Sequence, residues 1–200
     1  EVMIEGASKV VREWVEKDEV QGILGLGGAN GTTLATGVMR LLPFGFPKIM
    51  VSAMASGQIS HYMGASDIAM ISSVGDLSLN RVTRSIFSSA VGAVLGMSGF
   101  KKDLVLDEKP LVAMTSFGVT QPCVDVAKSK LENSGYEVML FHASGPGGRA
   151  LETLASRHFF DGVIDLTISE LTDEMLGASF SAGPNRLESA GLAGLPQVVV

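Results

Sequence analysis

The 200 residues carry a net charge of −6 and are 46% hydrophobic against 18% charged, which excludes a disordered chain and argues against nucleic acid as the main partner. No run of about 18 apolar residues marks a membrane span, and no signal-peptide pattern opens the chain. The single cysteine, Cys123, has no internal disulfide partner, so the expected compartment is a reducing cytoplasm.

In chain order, residues 2–18 read as an amphipathic helix with Ala7, Val10, Val11, Trp14 and Val15 on its apolar face. An apolar strand, 22–27, runs into a glycine turn and a helix that Pro43 and Pro47 bring to a stop near residue 42. The spacing then predicts strands at 48–54 and 67–73 and a helix over 81–97 capped by Asn80 or Ser78. That helix is rich in small residues, among them Ser88, Ala93 and Gly96, and offers a close contact surface for a second copy, so a homo-oligomer is expected. A charged connector at 101–109 marks the boundary between a first subdomain, 1–100, and a second, 110–200. The second reads as strand 111–115, helix 122–133, strand 137–141, helix 149–158, strand 162–166, helices 170–176 and 185–191, and strand 197–200. Strands alternating with helices call for an α/β fold with mostly parallel sheets covered on both faces, as in two Rossmann-like subdomains.

An internal echo supports two related halves. Gly22-Ile-Leu matches Gly162-Val-Ile, 140 residues on, and Phe46-Pro-Lys-Ile-Met-Val51 matches Leu195-Pro-Gln-Val-Val-Val200, 149 residues on. By that register the glycine turn of the first half corresponds to Asp165-Leu-Thr-Ile-Ser-Glu170, which is acidic and lacks glycine.

In open parallel sheets, ligands bind beyond the carboxyl ends of the strands. There the leading candidate is the turn Gly25-Leu-Gly-Gly-Ala-Asn-Gly-Thr-Thr33, whose Gly27, Gly28 and Gly31 permit positive φ and close approach of a ligand. Unpaired N–H groups at the following helix start favour phosphate or carboxylate, with Asn30, Thr32 and Thr33 adding side-chain groups. The turn is not a Walker A motif, because no Lys-Ser/Thr follows Gly31. Further candidates on the same edge are Ser56 and Gly57, Gly118 and Thr120, and His142 with Ser144, Gly147, Gly148 and Arg149. Arg149 reads either as a phosphate contact or as an exposed helix-end arginine. Glu170 reads as an acid or base, or as an ordinary carboxylate in a first helical turn. No spacing resembles a dedicated metal site; a magnesium ion carried in with a nucleotide needs only one or two carboxylates.

The run Gly25–Thr33, with Leu42-Pro-Phe-Gly-Phe-Pro-Lys48, Val51-Ser-Ala-Met-Ala-Ser-Gly57, Phe117-Gly-Val-Thr-Gln-Pro-Cys123, Phe141-His-Ala-Ser-Gly-Pro-Gly-Gly-Arg149 and Ser181-Ala-Gly-Pro-Asn-Arg-Leu187, resembles the ATP-binding family of the tomato mosaic virus resistance protein and its bacterial relatives. The resemblance spans essentially the whole chain. It implies two Rossmann-like subdomains and ATP binding, and it implies that the chain is a piece of a longer protein, since family members begin with an earlier strand and continue past residue 200. In this family the glycine loop often reads Gly-Gly-Ser-Gly-Gly-Thr; Asn30 departs from that and is able to take the left-handed conformation. The expected function is therefore binding of a nucleotide, ATP foremost, in a cleft between subdomains. The alternatives are an enzyme acting on a small phosphorylated or carboxylated metabolite through His142 or Glu170, and a ligand-gated interaction module.

Overall fold

The structure, a computed structural model, describes residues 1–100 and 109–200. Two compact units lie one on each side of that gap in the description. The charged connector expected at 101–109 falls, but for Lys109, outside the described residues.

The first unit runs α1 (Val2–Glu16), β1 (Ile23–Gly27), α2 (Ala29–Met39), β2 (Lys48–Ser52), α3 (Ser60–Met63), β3 (Ala69–Ser72) and α4 (Arg81–Gly99). Its three strands form one parallel sheet in the order β1-β2-β3. The central strand is buried along its whole length, and its side chains alternate between two cores as the pleat requires. Met50 meets Met39 of α2 and Ile68 on one face. Ile49 and Val51 meet Ala90, Ile86, Phe87 and Val94 of α4 on the other.

Lys48 heads this buried strand with no exposed surface, which would be costly without a counter-charge. Its Nζ lies 2.6 Å from Asp67 Oδ1 and donates to the Pro43 carbonyl at 2.6 Å. Asp67 thus supplies the counter-charge for the buried lysine, and its other oxygen accepts from the Gly45 amide at 2.7 Å.

The buried column of α1 is not the expected one. Ile4, Ala7, Ser8, Val11 and Val15 turn inward, while Val10 and Trp14 stay 44% and 45% exposed. The reason lies in α2, whose Gly37 leaves a notch filled by Ile4; a Cβ at that glycine would sit 2.7 Å from Ile4 Cδ1.

The second unit runs β4 (Leu111–Ser116), a 3₁₀ turn (Gly118–Thr120), α5 (Gln121–Asn133), β5 (Glu137–His142), α6 (Pro146–Ala155), β6 (Gly162–Asp165), α7 (Ser169–Leu176), α8 (Ser189–Leu192) and β7 (Gln197–Val199). All four strands are parallel, in the order β5-β4-β6-β7. The chain moves outward from β4 to β5 and then returns to β4's other side, so the order reverses between β4 and β6. The expected helix 185–191 shrinks to Ser189–Leu192, because residues 183–188 are held in an irregular path by Arg186. Helix α6 begins earlier than expected, at Pro146, whose fixed φ suits a first helical turn.

The internal echo is visible in backbone pairing. Ile23 is in register with Lys48, and Val163 with Gln197. In each pair the strand's N–H donates to a proline carbonyl just before the partner strand, Ile23 to Pro47 at 2.8 Å and Val163 to Pro196 at 2.9 Å. Both units are thus α/β layers built on parallel strands, and β1-α2-β2 has its counterpart in β6-α7-β7.

Candidate functional site

At the carboxyl edge of the first sheet, β1 ends at Gly27 and α2 starts two residues later. None of Gly27, Gly28 and Gly31 has positive φ, contrary to the sequence expectation, and Asn30 lies in the first turn of α2 rather than in a left-handed turn. The glycines matter through the missing Cβ. At Gly27 a Cβ would lie 2.6 Å from the Gly31 carbonyl carbon and 2.8 Å from the Thr32 nitrogen, so only glycine lets the helix start this close to the strand. At Gly28 an added Cβ meets nothing within 4 Å, and at Gly31 only the Leu26 carbonyl at 3.7 Å. The space in front of these two glycines is open.

Below the turn, two hydroxyls join the loop to the neighbouring strand. Thr32 is fully buried; its Oγ1 donates to the Gly27 carbonyl at 3.2 Å and lies 2.6 Å from Ser52 Oγ. Ser52 Oγ also accepts from the Met54 amide at 2.9 Å, and the Ala53 amide donates to the Gly27 carbonyl at 3.3 Å. Thr32 therefore holds the loop from inside, which corrects its expected place among the ligand-facing groups. Ser52 has the same role. It went unsingled in the sequence, where it reads as the last residue of a buried strand.

Above the turn, α2 is left uncapped. Gly28 occupies the cap position with no side-chain cap. The first amide of this turn to find a backbone acceptor is Thr32 N–H, at 2.8 Å from the Gly28 carbonyl. The amides of Ala29, Asn30 and Gly31 meet no acceptor among the described residues, and these residues are exposed. Thr33 is exposed as well, and its hydroxyl donates to the Ala29 carbonyl at 3.1 Å. Ser56 and Gly57 sit exposed in the turn after β2, which Ser52 and Met54 carbonyls close by accepting from Ala55 and Gly57. The result is an edge of donors that meet no acceptor among the described residues, at the positive end of an 11-residue helix.

The second unit solves the same problem differently. The α6 start, Gly145–Gly148, would be an anion site, but it already holds one. Glu170 Oε1 accepts from the amides of Gly145 and Gly148 at 2.7 and 3.1 Å, and its Oε2 accepts from Arg186 Nε at 2.8 Å. A Cβ on Gly148 would lie 2.2 Å from that carboxylate, and one on Gly147 would strike the His142 carbonyl, so both glycines serve packing of the loop. Glu170 is fully buried, and its carboxylate caps α6 rather than standing open at the strand edge, where a ligand contact or acid–base group was expected.

Arg186 is the centre of this arrangement. Its guanidinium reaches Asp165 through Nη2, Glu170 through Nε and Glu152 through Nη1 at 2.9 Å. Burial by itself would lower the pKa of this arginine, yet hydrogen bonds to Asp165 and Glu170 outweigh it and leave the pKa raised, so the group stays charged. The carboxylates are completed by further donors: Leu187 and Ser189 amides to Glu152, and Gln197 Nε2 to Asp165 at 3.0 Å. In the sequence, an arginine after Gly183-Pro-Asn185 reads as a surface loop residue, and nothing local marks it as buried.

Around this buried cluster lie the remaining candidates. Thr120 Oγ1 is 2.6 Å from Thr167 Oγ1 and also bonds Phe117, so it ties the loops after β4 and β6 together where the strand order reverses. Gly118 is exposed in the turn beside it. Arg149 Nη1 donates to the Ser181 carbonyl at 2.7 Å, which fixes the loop before α8. His142 is exposed and its ring stacks on Phe117 with centroids 5.1 Å apart. Ser144 is half-buried just after it. Cys123 is exposed on α5. Among the described residues, no group of three or more His, Cys, Asp or Glu side chains is placed to hold a metal ion, and no helix is long and apolar enough to cross a membrane.

Comparison with known proteins agrees with the two-unit organisation of the chain. Residues 1–103 match the N-terminal domain of the uncharacterised protein family UPF0261, and residues 109–200 match its C-terminal domain. A UPF0261 protein of Clostridium tetani is 46% identical over 200 residues, which is all of this chain and 50% of the relative. One from Mesorhizobium japonicum is 41% identical over 183 residues, covering 91% of this chain and 46% of the relative. The tomato (Solanum lycopersicum) ToMV resistance protein Tm-1(GCR237) is 38% identical over 180 residues, covering 87% of this chain and 24% of that protein. The chain spans about half the length of the bacterial relatives. It belongs to the UPF0261 family.

Proposed function

We propose that the first unit binds the phosphate groups of a nucleotide, ATP foremost, on the uncapped start of α2. The observation that carries this reading is the set of exposed amides at Ala29, Asn30 and Gly31 with no acceptor among the described residues, fronted by two glycines whose missing Cβ leaves room. Three amides converging at a helix start suit the oxygens of one phosphate, and the Thr33 hydroxyl adds a fourth donor or acceptor. The resemblance to an ATP-binding family points the same way. Magnesium would enter with the nucleotide. The virus-resistance role that names the tomato relative is not carried over, because such a role depends on a particular partner surface.

Calorimetric titration with ATP, ADP and a simple sugar phosphate, with and without magnesium, tests the proposal. Heat that saturates with the nucleotides is expected. No binding of any of the three at millimolar concentration overturns it.

A second reading concerns association of copies. Val91, Leu95 and Met97 of α4 are 44%, 66% and 41% exposed beside the small residues Gly92 and Gly96, a surface suited to self-contact. Sedimentation of the parent and of Leu95→Glu is the check: a dimer that the variant dissociates supports it, and a monomeric parent ends it.

A further inference from the structure

We propose that the second unit carries a separate binding rim for a planar nitrogen heterocycle, formed by Phe117, His142 and Phe180 at the carboxyl edge of its sheet. Three observations converge on it.

The first is the ring arrangement. Phe117 lies nearly parallel to His142, at an interplanar angle of 21° and 5.1 Å between centroids, and Phe180 leans on Phe117 at 6.2 Å. Aromatic faces left at a surface in this way accept a further flat ring by offset stacking.

The second is rigidity. Phe180 remains 49% exposed although the loop that presents it is tied down from several sides. The Ser181 carbonyl accepts from Arg149, the Ser181 hydroxyl bonds Glu174 and accepts from the Gly183 amide, and Arg186 anchors the loop's far end. Leu187 is held at φ 75°, a strained value for a leucine, by the hydrogen bond its backbone N–H donates to Glu152 Oε1 at 2.8 Å. The loop even passes over α6, with the Ser181 carbonyl 2.7 Å from where a Cβ on Gly145 would be. A half-exposed phenylalanine held on so constrained a loop is preorganised for contact.

The third is the polar edge. The imidazole nitrogens of His142 and the hydroxyl of Ser144, two residues on, meet no hydrogen-bond partner among the described residues. They offer one donor–acceptor edge beside an apolar stack, the combination that reads the ring nitrogens of a heterocycle rather than a plain benzene ring. A phosphate is not part of this site, because Glu170 already takes the Gly145 and Gly148 amides.

The test is by proton NMR of the histidine rings in the whole chain, with His142 assigned through His142→Gln. Adenosine, which has no phosphate, and benzamide are titrated separately. Adenosine is expected to move the His142 ring protons upfield, and Phe180→Ala to weaken its binding by about tenfold or more. Ring protons that neither probe moves at millimolar concentration overturn the proposal, as does unchanged adenosine affinity in Phe180→Ala. Benzamide binding as tightly as adenosine removes the heterocycle assignment. Since neither probe has a phosphate, failure here leaves the glycine-loop reading standing. An ATP affinity unchanged by Gly28→Ala or Gly31→Ala, which counts against α2, likewise leaves this rim standing.

Discussion

Replacing Gly31 by alanine separates what the α2 start does for the fold from what it does for a ligand. In the fold, the new methyl meets only the Leu26 carbonyl at 3.7 Å, an ordinary contact, and the residue is already helical. Alanine in place of a helical glycine then stabilises by about 0.5–1 kcal/mol. For a unit of roughly 100 residues that raises its melting temperature by about 2–8 °C. For a phosphate the effect reverses. A helical Cβ tilts toward the N-terminus, into the space above the amides where the oxygens would rest. Loss of one hydrogen bond to a charged oxygen costs about 1.5–3 kcal/mol, or roughly 10- to 150-fold in affinity. Gly28→Ala, whose methyl meets nothing in the protein, should weaken binding in the same way with little effect on stability. Differential scanning calorimetry and titration with ATP read both quantities. Variants that melt higher and bind ATP as tightly as the parent would refute the reasoning, because the amides would then face something other than the phosphates.

The neighbouring glycine should behave in the opposite sense. Gly27→Ala places a methyl 2.6–2.8 Å from backbone atoms of Gly31 and Thr32, and overpacking of this kind costs about 1–3 kcal/mol, seen as a lower urea midpoint. Thr32→Val removes the hydroxyl that joins Gly27 to Ser52 and should cost about 1–2 kcal/mol by urea unfolding, whereas Thr33→Val should leave stability within about 0.5 kcal/mol and lower ATP affinity. Arg186→Met leaves Asp165 and Glu170 buried without their counter-charge; a loss of about 3–5 kcal/mol is expected in the second unit's unfolding transition. Because the Arg186 pKa is raised, this stabilisation is fully present below the ordinary arginine pKa and is lost only as pH rises through the higher folded value. The difference between parent and Arg186→Met should therefore show no decline from deprotonation of Arg186 between pH 7 and pH 10.

Which parts of this were legible in the chain depends on how local the cause is. The strand–turn–helix of 23–39 is visible because an apolar run, clustered glycines and two threonines each act on neighbours in sequence. The location of the turn at a carboxyl strand edge follows from the βαβ pattern alone. The role of its glycines does not: positive φ is the usual reason for glycine in a turn, and here the reason is the approach of Gly31 to Gly27. Helix α1 shows the same limit. Its periodicity is plain, but two apolar columns compete, and the notch at Gly37 decides for Ile4 over Val10 and Trp14. Glu170 and Arg186 lie beyond local reading altogether. Each looks like a surface residue, and each is buried by partners 16 to 34 positions away that only the tertiary fold assembles.

The echo between the halves gives these observations a common physical sense. At the 140-residue offset, Asn30 of the first turn of α2 corresponds to Glu170 of the first turn of α7. In the second unit that position sends a carboxylate across to the amides of α6, and the donors there are satisfied by the protein itself. In the first unit the same position holds a neutral, exposed asparagine that sends no carboxylate to a neighbouring helix, and the amides at the start of its own helix, α2, meet no acceptor among the described residues. The α6 start is already supplied with a carboxylate, whereas glycine at the α2 cap forgoes a few tenths of a kcal/mol of capping, and about 0.3–1 kcal/mol of helix-dipole attraction, that an aspartate at the Gly28 position would supply. Retaining glycine there is reasonable physically if an external anion does the capping. Gly28→Asp should accordingly stabilise the first unit by about 0.5–1 kcal/mol, mostly through the helix dipole, and exclude phosphate by both charge and occupancy. A Gly28→Asp variant that still binds ATP with the parent's affinity would place the nucleotide elsewhere on the chain.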